Sequence, residues 1–296
     1  MSEAMKGALA MIGACTIWGL SPFYYRLVID IPPPEILAHR TIWSLVFFLI
    51  VLAIQHRLPE IGRALSGRRR LVRTALAALM ISANWGVFIY SISVARVAES
   101  SLGYYIFPIV SVLFGLVIFR ERPAALQWVA IALALAAVAA LTLDLGRLPW
   151  ISLTLAVTFA IYGTLKKGTE AGPVASVTTE VIILLPLALL WLALMTDGLP
   201  GVWALAILIA SGPLTGIPLM LFSYAARRIG LVSLGLIQYL NPSLQALSAV
   251  ILGEMLGRAH AIAFALIWTA LALYSFDAAK RERASTRASA SGVTRT

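Results

Sequence analysis

Ten apolar stretches, each about as long as a bilayer is thick, follow one another with little chain between them. They run over approximately 5–27, 33–55, 71–93, 97–119, 123–143, 148–166, 173–196, 202–226, 230–252 and 258–278. A helix needs roughly 20 apolar residues to cross about 30 Å of hydrocarbon. Hydrophobic residues make up 60% of the 296 and charged residues only 12%, more apolar surface than a soluble domain of this size can hide. The expected fold class is an all-α polytopic membrane protein of ten transmembrane helices. The connections are short, so a separate catalytic domain has no room to fold outside the bilayer.

The net charge of +10 raises the question of nucleic acid, and its distribution answers against it. With the N-terminus in the cytoplasm, 18 of the 23 Lys and Arg fall on the cytoplasmic side. They include Lys6, Arg57, Arg63, the Arg68–Arg69–Arg70 run, Lys166 and Lys167, and the tail from Lys280. Arg26, Arg96, Arg147 and Arg258 fall on the other side and Arg40 lies within a span. This is the positive-inside bias of an inner-membrane protein with both termini cytoplasmic, and it makes the basic residues topology signals. Residues 280–296, AKRERASTRASASGVTRT in context, read as a disordered basic tail. The first span lacks a small-x-small cleavage site before a soluble region, so it is expected to stay as a span. Cys15 is the single cysteine and excludes an intramolecular disulfide.

The chain resembles itself at an offset of five spans. TIWG (Thr16–Gly19) in span one matches AIYG (Ala160–Gly163) in span six, and SLGYYIFP (Ser101–Pro108) in span four matches SLGLIQYLNP (Ser233–Pro242) in span nine. Pro108 is followed 13 residues later by Glu121, and Pro242 is followed 12 later by Glu254. Five is odd, so the second copy enters the membrane upside down. The expected domains are two inverted-topology five-helix repeats, 1–144 and 145–279, the architecture associated with alternating access around a central site.

The segments IWGLSPFYY, EILAHRTIWS, NWGVFIYS, ESSLGYYIFPIVSVLFGLVIFRERP, SLGLIQYLNP and FALIWTALALYSFDA carry a resemblance to the drug/metabolite transporter superfamily. The chain resembles its EamA-type permeases, and HR followed by IWS in span two places it nearest the RarD-like branch. The resemblance implies a ten-helix permease of the bacterial inner membrane with a central cavity. It implies export or facilitated movement of a small metabolite, amino acid or drug such as chloramphenicol, with no cofactor.

Enzyme signatures are missing from the sequence. His39, His56 and His260 lack metal-ligand spacing, and no nucleophile elbow, phosphate loop or dinucleotide fingerprint is present. Transport would then be passive or coupled to an ion such as the proton. A membrane-embedded enzyme or lipid-handling protein with its site between helices is the alternative reading. Its partners would be the bilayer and a small molecule in either case.

Charges inside a span cost around 2.5–3.5 kcal/mol at the helix centre and are functional candidates by default. Glu35, His39 and Arg40 lie in six residues of span two. Arg40 is seven residues after Pro33, roughly 10 Å along the axis, within reach of snorkelling. Glu35 sits at the interface with His39 its i+4 neighbour on the same face. Glu180 lies seven residues after Pro173 in span seven, so Arg40 and Glu180 stand at mirrored depths in equivalent helices. They are expected to mark two gates or vestibules rather than one salt bridge, and His39 or Glu180 is a candidate proton carrier.

A polar, aromatic set suggests the cavity wall: Asn84 and Trp85 in span three, Tyr104 and Tyr105 in span four, and Gln238, Tyr239 and Asn241 in span nine. Pro108 and Pro242 are expected to break helical hydrogen bonds beside them. Interhelical packing is the competing use of such residues. Trp18 and Tyr162 occupy matching places in the two repeats, beside Gly19 and Gly163, which are expected to permit close helix contact. Glu121 and Glu254, each shortly before the next helix, read as anions favoured by a helix N-terminus.

Overall fold

Hydrocarbon leaves each apolar stretch to satisfy its own backbone, and the chain does so with helices. The computed structural model describes residues 2–118, 125–166, 172–196, 198, 200–226, 228–229, 237–273 and 276. Its helices are α1 (Glu3–Arg26), α2 (Pro33–Ile54), α3 (Pro59–Leu65), α4 (Arg68–Ser93), α5 (Val97–Ile118), α6 (Ala125–Leu145), α7 (Trp150–Lys166), α8 (Pro173–Met195) and α9 (Val202–Ala226). They are followed by α10 (Leu240–Ile251) and α11 (Arg258–Leu273). No strand occurs among the described residues. Helices α1, α2, α4, α8 and α9 are long and apolar enough to cross a membrane, so the chain is a multi-pass membrane protein.

Local chemistry sets the ends. Ser2 Oγ accepts from Met5 N (3.2 Å) to cap α1, and Glu3 follows in the first turn, where an anion meets the helix dipole. Pro33 and Pro173 open α2 and α8, positions where a missing N–H costs nothing. Most helices lie within a few residues of the expected stretches. Two differ. The short helix α3, pinned by Arg57 donating to both oxygens of Glu60 at 2.7 and 2.9 Å, occupies a connection between two of the expected stretches. This pairing holds the Glu60 carboxyl below the usual carboxylate range. In the expected ninth stretch, 230–252, the described residues Ile237 and Gln238 are helical, a turn follows at Tyr239 and α10 starts at Leu240, while Ser233 lies outside the described residues, as do Glu121 and Pro123.

The helices from the two ends of the sequence interleave. Helix α2 packs on α8 and α9, α1 on α9 and α10, α4 on α7 and α8, and α5 on α7 and α10. On the flank, Leu102 and Tyr105 of α5 bury against Ala137 and Leu141 of α6 and Ala263 and Ile267 of α11. Small residues let backbones touch, as expected where lipid supplies no hydrophobic drive between helices. A Cβ on Gly212 would lie 2.4 Å from the Trp43 carbonyl oxygen, one on Gly103 2.7 Å from Ser152 O, and one on Gly19 2.5 Å from Leu244 Cβ. Gly163 corrects the expectation drawn from its resemblance to Gly19: a Cβ there meets no heavy atom within 4 Å. Its helix face is exposed, so this glycine serves no close contact.

These contacts make Gly212→Ala costly, by about 1–3 kcal/mol as overpacking against rigid backbone. Gly163→Ala should be neutral or slightly stabilising, since alanine is the better helix former. Thermal unfolding of both variants in the same detergent checks the contrast; equal shifts would contradict the packing described.

Candidate functional site

Arg40 is the first candidate to locate. It sits in the N-terminal half of α2 and is only 7% exposed, so it does not snorkel to the surface as its depth along the helix allowed. The helix face it occupies turns it inward. Its guanidinium lies over the Trp85 ring at 4.0 Å, and Nη1 donates to Tyr25 Oη at 2.6 Å. Trp85 on α4 and Tyr25 on α1 thus hold one face and one edge of the cation. His39 is buried as well, but its Nδ1 has no hydrogen-bond partner, so the expected Glu35–His39 pair is not made through that atom. Glu35 is half-buried in the first turn of α2, a position the helix dipole favours for an acid.

From Arg40 a run of rings leads through the bundle. Tyr25 meets Phe88 edge-on at 6.0 Å, Phe88 meets Tyr104 at 6.0 Å, and Tyr104 meets Phe159 at 6.0 Å. Phe159 touches Phe107 at 4.8 Å and stacks on Tyr162 at 6.0 Å. At the far end Tyr162 Oη donates to Glu180 Oε2 at 3.1 Å, and Lys166 donates to Glu180 Oε1 and Ser176 Oγ. Glu180 is 1% exposed and the Lys166 side chain 23%. Arg40 and Glu180 therefore occupy opposite ends of one aromatic path and do not pair with each other. Lys166, expected only as a topology charge, is the counter-ion that lets a carboxylate stay buried. Its position four residues after Tyr162, on the same helix face, was the available signal. Phe159, three before Tyr162, carried a similar one.

Other expected wall residues serve helix contacts. Asn84, 1% exposed, has every polar atom partnered: Nδ2 donates to Leu155 O (3.0 Å) and Thr158 Oγ1 (3.1 Å), and Oδ1 accepts from Tyr104 Oη (3.0 Å). It joins α4, α5 and α7 beside the ring path. Tyr105 Oη shares a 2.6 Å bond with Ser243 Oγ, and Ser101 Oγ donates to Pro242 O at 2.7 Å, tying α5 to α10. Tyr239 packs on the α5 flank cluster, Gln238 is half-buried beside it, and Asn241 Oδ1 accepts from Gln245 Nε2 at 3.0 Å. Trp18 faces Phe222 at 6.1 Å, away from Tyr162, so the two matching aromatics line different surroundings.

The two prolines part company. Pro108 lies inside α5, as expected, and its ring displaces the bond to residue 104. Pro242 is the third residue of α10, and the turn at Tyr239 that parts α10 from the helical pair Ile237 and Gln238 falls three residues before it. Glu254 is corrected. It does serve a helix N-terminus, but of α5 rather than of the helix that follows it: Oε1 accepts from Val97 N (2.5 Å) and Oε2 from Ala98 N (2.9 Å). Arg96 and Glu99 pair beside this cap, with Arg147 Nη2 4.0 Å from Glu99 Oε1.

The asymmetry of the Lys166–Glu180 pair has a measurable consequence. Lys166→Met strands a carboxylate that cannot reach water and should cost about 3–5 kcal/mol, the range for orphaning a buried charge. Glu180→Gln should cost clearly less, because the partly exposed amine can turn outward. Denaturation midpoints in matched micelles decide it, and the reverse order would refute the assignment of burial.

Comparison with known proteins accords with this geometry. Residues 5–143 match the EamA-like transporter family. A solved chain titled "Crystal structure of protein" shares the fold, with a TM-score of 0.63 at 18% identity over 93% of this chain and 98% of its own. An uncharacterized transporter of Pseudomonas aeruginosa is 40% identical, covering 92% of this chain and 94% of the relative. Protein RarD of Streptomyces exfoliatus is 40% identical over 99% and 96%, and Protein RarD of Escherichia coli 34% identical over 95% and 97%. With likeness of that degree along nearly its whole length, the chain belongs to the RarD-like branch of the EamA transporter family.

Proposed function

We propose that the chain is a permease of the bacterial inner membrane. It moves a small organic solute by alternating access between two inverted five-helix halves, 1–144 and 145–279, with both termini cytoplasmic. The observation that carries this reading is the pairing of helices. If α1, α2, α4 and α5 correspond to α7, α8, α9 and α10, then each contact between these two sets has a counterpart, the short helix α3 standing outside the scheme. The α1–α9 contact corresponds to α7–α4, α1–α10 to α7–α5, and α2–α9 to α8–α4, while α2–α8 and α5–α10 map onto themselves. A pseudo-two-fold axis in the membrane plane produces such a pattern. The self-paired contacts lie on that axis, and Arg40 and Glu180 come from the α2–α8 pair.

The aromatic path between those charges suits a small amphipathic or aromatic solute better than an inorganic ion. A relative in Pseudomonas aeruginosa bears the name chloramphenicol-sensitive protein RarD, which supports including such a drug among the solutes tested. Export or facilitated diffusion is the direction of use, with no cofactor and no enzymatic step. Glu180 and His39 are the groups through which a proton would couple.

Purified protein reconstituted into liposomes should move at least one member of a panel of amino acids and small drugs faster than empty liposomes do. Running the panel with and without a pH gradient tests the coupling, which predicts accumulation only with the gradient. Transport equal to that of empty liposomes across the whole panel would overturn the reading.

A further inference from the structure

Arg40 stands apart from the cations that form ion pairs among the described residues. Among the described residues Lys6 and Arg228 hold Glu3, Arg57 holds Glu60, Arg96 and Arg147 hold Glu99, and Lys166 holds Glu180. Arg40 holds no carboxylate, although it is more than nine-tenths buried. A buried charge without a counter-ion is strongly disfavoured, and arginine does not shed its proton. What surrounds it compensates incompletely. Trp85 covers one face of the guanidinium and Tyr25 takes a bond from Nη1, while the buried Nε has no partner.

The same stretch of helix holds three more orphaned buried polar atoms: His39 Nδ1, Trp43 Nε1 and Ser44 Oγ. Arg40 and Ser44 are four residues apart and share a face of α2. Stacking on Trp85 leaves the edge of the guanidinium for in-plane acceptors, the geometry that a carboxylate fills with two parallel bonds. Phe88 and Tyr104 continue the apolar wall from Tyr25.

We propose that Arg40, with Ser44 on the same face, is the binding point for the carboxylate of an anionic or zwitterionic organic solute whose apolar body lies along the rings beyond it. The assignment rests on the carrier reading above, since the missing counter-ion is then the cargo itself. The Lys166–Glu180 pair at the other end of the path supplies its own counter-ion, so the two ends are not equivalent: only the Arg40 end is left to be neutralised by the solute.

The test uses the full chain in lipid nanodiscs, titrated calorimetrically with 3-phenylpropionate, L-phenylalanine, their uncharged or amidated counterparts 3-phenylpropionamide and L-phenylalaninamide, and inorganic phosphate. At least one carboxylate should bind tenfold or more tighter than its amide and tighter than phosphate. Arg40→Gln should abolish that preference and Arg40→Lys should weaken it. Equal binding of acid and amide by the unaltered protein overturns the proposal without reference to any variant. So does a preference for phosphate, the absence of binding by both acids, or a preference that survives in a folded Arg40→Gln protein. Counterflow in liposomes from the same preparation separates the two readings. Movement of neutral solutes with no preference for carboxylates sinks the anion site and keeps the carrier. Binding of carboxylate at Arg40 with no movement of any solute sinks the carrier as the site's purpose.

Discussion

A buried ion in hydrocarbon must find its partner inside the protein, and Lys166–Glu180 is where this chain meets that demand most plainly. The carboxylate is fully enclosed on α8, and the amine reaches it from the end of α7 with Ser176 and Tyr162 completing the set. Those contacts fix how the two helices face each other. They also place Tyr162 so that its ring continues the line of Phe159 and Tyr104. The polar residues at the opposite end obey the same rule less completely, which is why the region around Arg40 stands out. Charge in this bundle is thus an organising constraint rather than a count.

The line of rings turns several helices into one wall. Each pair is edge-on or stacked at about the distance aromatic quadrupoles favour, and between them the pairs link α1 to α4, α4 to α5 and α5 to α7. Asn84 ties the wall together, bonding through both its nitrogen and its oxygen to α7 and α5. The residues that looked most like solute ligands by type therefore divide in two. Asn84 and Tyr105 hold helices together and Asn241 bonds within α10, while Arg40, Trp85, Tyr104 and Tyr162 belong to the run of rings and the charges at its ends.

How much of this was legible in the sequence depends on which physical variable a feature needs. Helix positions were legible because lipid imposes a length on each apolar run, and α8 and α9 begin at the residues expected. The place of Arg40 in the N-terminal half of a helix was legible in the sequence, but its burial was not. Burial needs the azimuth of the side chain, and that is set by neighbours far away in sequence such as Trp85. Glu254 was readable as an anion for a helix N-terminus because its type and place near a span end suit that use. Its actual helix was not readable, since nearness along the chain says little about nearness across a bundle. Gly163 failed for the same reason, sharing a motif with Gly19 but not a neighbour. Lys166 was hidden by its usefulness as a topology signal, because the same charge can sit at the cytoplasmic end of a helix and still bend inward to a carboxylate.

The Glu254 cap has a mechanical meaning. Its two oxygens take the first free N–H groups of α5, so the start of a helix in the first half of the sequence is held by a residue from the second. Two hydroxyl bonds, Ser101 to Pro242 and Tyr105 to Ser243, fasten the same pair of segments farther along. Helices α5 and α10 are thereby coupled, and a displacement of one carries the other unless all of these bonds part together. The join therefore runs across the sequence rather than along it: a residue beyond position 240 decides where a helix that begins near position 97 can start.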